Sequence, residues 1–125
     1  MRVYIAAQFK EQKLMRDWRK LLHAAGHDVT SRWLDVNETD EKKPSEEVSN
    51  AALIDIHDIT LAEIMISQTL KRGDLFTGGG RHIEFGYAFA KGKKLINVGG
   101  YESVFHHLPN VITVSTIEEA IELLK

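Results

Sequence analysis

The chain has 125 residues and no cysteine, which suits one domain and excludes a disulfide framework, a zinc–thiolate centre and a thiol nucleophile. A formal charge of −2 argues against a non-specific nucleic-acid binder, which needs a basic face. Apolar residues at 43% and charged residues at 27% are those of an ordinary soluble protein, and no apolar run reaches membrane-spanning length. The first residues read as strand rather than signal peptide, so a cytoplasmic location and no membrane partner are expected.

In chain order, Arg2 to Ala7 reads as a first strand. Glu11 to Ala25 carries Leu14, Met15, Trp18, Leu21 and Leu22 at helical spacing and closes at Gly26. His27 to Trp33 reads as a second strand. Leu34 to Lys43 is a polar, acidic loop of a length that often marks function. Pro44-Ser45-Glu46-Glu47 starts a helix that apolar positions 48, 51, 52 and 59 continue. Glu63 to Ser67 is a short buried strand, and Gln68 to Thr77 is a second long loop. A helix follows the glycines at 78–80, with Ile83, Tyr87 and Ala90 as its apolar stripe and Gly92 as its stop. Lys94 to Val98 and Val111 to Val114 are strands. Thr116 caps a last helix from Ile117 to Leu124. Strands alternating with helices predict a small α/β domain over residues 1–125. It is a doubly wound, five-stranded parallel sheet with helices on both faces, of flavodoxin/Rossmann-like type.

Gly78 to Ala88 (Gly-Gly-Gly-Arg-His-Ile-Glu-Phe-Gly-Tyr-Ala) is the most informative run. Glycines let a backbone approach a ligand closely. No Gly-Lys-Ser/Thr follows, and the G-x-G-x-x-G spacing is missing, so neither standard phosphate or dinucleotide loop applies. Glu84 is expected in the first turn of the helix, where the helix dipole favours the ionised form. A carboxylate there suits a nucleophile or general base, and a glycine turn followed by a solvated glutamate is the plain alternative.

In a doubly wound sheet, ligands bind beyond the carboxyl ends of the strands. That rule gathers the loops after Ala7, Trp33, Ser67 and Val98 with the start of the glycine helix. Tyr4 lies in strand one, as a core aromatic or a site residue, and Ala6-Ala7 leave room at its end. Asp55 and Asp58 share one helix face, as a surface pair or as desolvated acids whose pKa burial raises. Arg81 and the glycine amides suit an anion, or Arg81 is a surface residue. Phe9 and Trp33 are stacking platforms for a flat heterocycle or rim aromatics. Of six histidines only His106 and His107 adjoin, a spacing that does not suit a metal site.

Together, Tyr4-Ile5-Ala6-Ala7, Asp55 with Asp58, Ala62-Glu63-Ile64-Met65-Ile66, Gly80 through Ala88 and Lys93 to Val98 resemble the nucleoside 2-deoxyribosyltransferase family. The resemblance runs in order over nearly the whole chain, and Glu84-Phe85-Gly86-Tyr87-Ala88 is its specific core. It implies a small doubly wound α/β fold, assembly as homodimers or higher homo-oligomers, and no cofactor. It implies cleavage of the N-glycosidic bond of deoxynucleosides or their 5′-monophosphates. By position, Glu84 matches the nucleophile, Asp55 the acid that handles the base, and Tyr4 the residue that orients the glutamate. Gly78, with Thr77 beside it, stands where the transferases carry an acid for the sugar hydroxyls, and Asp74 is offset. A related branch hydrolyses 5′-monophosphates using small polar groups and an arginine, with which Thr77, Gly79 and Arg81 are compatible.

The expected ligand is therefore a nucleoside or nucleotide, not a nucleic-acid polymer. The expected site comprises Tyr4, Asp55 and Glu84 with Ala7, Phe9, Trp33, Asp58, Thr77, Gly78, Gly79, Gly80 and Arg81. Hydrolysis and base transfer are both open, and a non-catalytic nucleotide-binding module is the alternative.

Overall fold

The computed structural model describes residues 1–37, 46–69 and 79–125. Five strands form one parallel sheet: β1 (Arg2–Ala6), β2 (Asp28–Val29), β3 (Ile64–Gln68), β4 (Lys94–Val98) and β5 (Val111–Val114). Their order is β2-β1-β3-β4-β5. The helices are α1 (Gln12–Ala24), α2 (Glu46–Leu61), α3 (Gly80–Ala90) and α4 (Ile117–Glu122). This is the doubly wound α/β architecture that the sequence predicts. Val3 to Ala6 of β1 are all fully buried, as a strand covered on both faces must be.

Helix α1 buries Met15, Trp18 and Leu22, one stripe at helical spacing. Helices α2 and α3 pack on each other and both reach β1, while α4 packs on β4 and β5. Gly92 ends α3 at φ +71°, in the left-handed region that favours glycine. The Thr116 hydroxyl caps α4 by accepting from the Glu119 amide at 3.2 Å. That helix ends at Glu122, two residues before the expected Leu124. Among the described residues no helix is long and apolar enough to cross a membrane.

The second strand is much shorter than the expected His27 to Trp33. It pairs with β1 only through Asp28 and Val29, and a 3-10 turn over Arg32–Asp35 replaces its end. Side chains take over the ladder there. The Ile5 amide donates to Ser31 Oγ at 2.6 Å, and the Trp33 indole donates to the Ile5 carbonyl at 2.8 Å. Both backbone groups of Ile5 on that edge are thus satisfied without a strand.

Strand order reverses between β1 and β3, because the chain leaves β1 toward β2 and returns on the other side. The carboxyl edge at that reversal is the crevice where such sheets hold ligands. One backbone approach consolidates this edge. Gly99 has φ +134°, and a Cβ on it would lie 2.1 Å from the Thr69 carbonyl oxygen. The Gly100 amide donates to Thr69 Oγ1 at 2.8 Å, which ties the residue after β3 to the turn after β4.

Candidate active site

A cavity of about 1110 Å³ opens at this edge. Its wall includes Phe9 after β1, Arg32 and Trp33 after β2, Asp55 from α2, and Gly80, Ile83 and Glu84 from α3. The volume suits a nucleoside-sized molecule. Phe9 and Trp33 stand side by side with ring centroids 6.1 Å apart and planes tilted by 46°.

Tyr4 is completely buried in β1, and its hydroxyl donates to Glu84 Oε2. Tyr4 is therefore both a core aromatic and a partner of the glutamate. Glu84 is the fifth residue of α3, so it lies past the first turn in which it was expected. Its carboxyl group is not held ionised by the helix dipole. Burial pushes its pKa up to about 8, the Tyr4 hydrogen bond opposes that rise, and the Asp55 charge adds to it. Burial also holds the Tyr4 phenol well above its usual range, so it stays a neutral donor.

Asp55 is raised to about 6, first by burial and then by Asp58, with Arg32 opposing. The desolvated acid expected from the sequence is thus present at Asp55. Asp58 is fully buried and does not line the cavity. It accepts from the Arg32 amide at 3.0 Å and from Arg32 Nε at 2.9 Å, and Arg32 Nη2 lies 2.8 Å away.

The buried face of α3 is not the expected stripe of Ile83, Tyr87 and Ala90. It is Arg81, Phe85 and Ala88, and Ile83 is 71% exposed at the cavity wall. The cause is an ion pair that lets a cation occupy a core position. Arg81 Nη1 meets Glu102 Oε1 at 2.6 Å, with both side chains largely buried. Beside it, Phe85 meets the His106 ring edge-on at 5.1 Å. Arg81 is thus neither a surface residue nor part of the cavity wall.

Of the remaining expected residues, Ala7 is partly buried against the core, and neither it nor Gly79 lines the cavity. A Cβ added to Gly79 or Gly80 would meet nothing within 4 Å, so packing does not require glycine at either place. Thr77 and Gly78 lie outside the described residues. Among the described residues no group of three His, Asp or Glu side chains is arranged to hold a metal. Arg32 and Ile83 are cavity residues that the expected site omitted. Ile83 is legible only as an apolar residue off the buried stripe. The signal for Arg32 is its place between a strand end and Trp33.

No protein-family model matches the chain, and no curated protein does. Solved structures do. A CMP N-glycosidase from Clostridium botulinum is 26% identical, with a TM-score of 0.63, over 99% of this chain and 98% of that one. A 2-deoxyribosyltransferase from Bacillus psychrosaccharolyticus is 19% identical, with a TM-score of 0.71, over 97% and 90% of the two chains. A 2-deoxyribosyltransferase from Leishmania mexicana has a TM-score of 0.56 at 19% identity, over 82% of this chain and 65% of that one. The chain thus has the fold of the nucleoside 2-deoxyribosyltransferase-like proteins, the N-glycosidase branch included, and the resemblance read from the sequence holds.

Proposed function

We propose that this protein is an enzyme that cleaves or transfers the N-glycosidic bond of a nucleoside or its 5′-monophosphate through a glycosyl–Glu84 intermediate. The single observation that carries the reading is the placement of Glu84. Its carboxyl group lies in the wall of the cavity, bonded from behind by Tyr4, with Asp55 in the same wall.

The chemistry follows from those positions. Ionised Glu84 bonds to C1′ as the C1′–N bond breaks, and the bonding pair leaves with the base. Asp55 gives its proton to the departing base. Positive charge develops on the sugar ring in the transition state, and the adjacent carboxylate stabilises it. Water, or a second base, then attacks C1′ from the vacated side. Glu84 is released, and the proton of the attacking group returns to Asp55. Two displacements give net retention. Tyr4 orients Glu84 and favours its ionised form. Phe9 and Trp33 offer aromatic surface to the base.

Incubation with a panel of ribo- and deoxyribonucleosides and their 5′-monophosphates, followed by chromatography of free base, tests this reading. Base release, with sugar mass trapped on Glu84, supports it. Tight binding without release of any base would instead make the protein a nucleotide-binding module.

A further inference from the structure

Resting on that reading, we propose that Arg32 recognises the leaving base by donating to a ring carbonyl oxygen. The site would therefore favour bases that carry a carbonyl over adenine, the common base that has none.

Arg32 opens the 3-10 turn after β2 and lines the same cavity as Asp55. Buried Asp58 fixes it at three points: its amide, Nε and Nη2. A planar guanidinium gripped along one edge has a set orientation. Its other edge is free to act. The side chain is 57% exposed, and Nη1 has no hydrogen-bond partner among the described residues. A rigid N–H donor thus stands at the cavity wall beside the acid that serves the leaving group.

Charge decides what that donor meets. Asp55 and Asp58 approach Arg32 from α2, Glu84 stands across the cavity on α3, and Tyr4 from β1 is neutral. Among the described residues every other charged group of the cavity wall is a carboxyl group, Glu46 and Glu47 included. A phosphate would be repelled there, whereas a neutral acceptor fits. A ring carbonyl oxygen, which cytosine and hypoxanthine both carry, accepts from Nη1; where hypoxanthine presents that oxygen adenine presents an amino group, which sets donor against donor and leaves the guanidinium edge unsatisfied.

The test uses the Glu84→Gln protein, so that ligands are not consumed, and calorimetric titration of cytidine, inosine and adenosine 5′-monophosphates and ribose 5-phosphate. The two carbonyl-bearing nucleotides are expected to bind roughly 10- to 100-fold more tightly than the adenine nucleotide. Adding Arg32→Gln should close that gap and leave ribose 5-phosphate binding unchanged. Because Arg32→Gln strands Asp58, the same titrations are run on Arg32→Gln/Asp58→Asn, whose neutral pair spares the fold. Arg32→Lys, which keeps a cation for Asp58 but loses the second arm, should also lack selectivity. Equal affinity for all three nucleotides overturns the proposal. So does a parallel loss of ribose 5-phosphate binding, which would mark a phosphate contact. Carbonyl-selective binding by a wild-type protein that releases no base would refute the enzymatic reading and leave the role of Arg32 standing.

Discussion

The Tyr4 hydroxyl and the Glu84 carboxyl group, 80 residues apart in sequence, are hydrogen-bonded between the sheet and α3. Replacing Tyr4 with Phe removes the donor that opposes the upward shift of Glu84. The glutamate should then ionise only at still higher pH. Activity at pH 7 is expected to fall roughly 10- to 100-fold and to recover partly as pH rises. A loss equal at every pH would mean that the bond only supports the fold.

Glu84→Gln should lower base release by several orders of magnitude, as removal of a covalent nucleophile does. Gln can still accept from Tyr4, so the circular dichroism spectrum should stay that of the wild type. Undiminished release by the variant would end the proposal of a glutamyl intermediate.

The pH profile of kcat/KM should be bell-shaped. The nucleophile must be ionised and the acid protonated, and the two carboxyl groups titrate near about 8 and about 6. The maximum is expected between those values, with the limbs belonging to the pair. Asp55→Asn should abolish one limb. It should also move the remaining one below about 8, because the Asp55 charge helps to raise Glu84.

Stability and activity should part company at Glu84. Its folded pKa of about 8 lies above the ordinary 4.5. The folded protein therefore binds the proton more tightly than the unfolded chain does. Its contribution to stability is complete below 4.5 and is lost as pH rises through 8. Thermal melts should show Tm falling across that window, and Glu84→Gln should flatten the fall. At pH 8 the inactive variant should melt above the wild type. A variant Tm curve parallel to that of the wild type would contradict the burial of this carboxyl group.

Two substitutions away from the cavity test the edge that carries it. Ser31→Ala leaves the buried Ile5 amide without its acceptor and should destabilise by about 1–3 kcal/mol in a denaturant titration. Gly99→Ala combines φ +134° with a clash against the Thr69 carbonyl and should cost about 2 kcal/mol or more. Near-neutral values would mean that this edge relaxes.

The sequence made the fold legible because its signals are local. Buried β-forming runs marked β1, β3 and β4, and Gly26 and Gly92 marked helix ends. Tyr4, Asp55 and Glu84 were legible by their resemblance to a family and by the rule that gathers loops at the carboxyl edge. What stayed hidden depends on partners remote in sequence. Arg81 reads as an anion ligand or a surface cation in the sequence because Glu102, which draws it inward, is 21 residues away. The second strand looked long because nothing local reveals that Ser31 and Trp33 bond Ile5 through their side chains. For Glu84 the helix start predicts an ionised carboxylate, whereas the burial that raises its pKa depends on how α3 packs against β1 and α2, which no local pattern marks.

Trp33 serves two masters. Its indole nitrogen is anchored on the backbone of β1, and its ring forms part of the cavity wall. The ring is held before any ligand arrives, so an incoming heterocycle need not arrest a swinging side chain. The same anchorage limits adaptation: reshaping this wall for another base means unpegging the sheet edge, so drift in specificity should come more readily from Phe9 beside it.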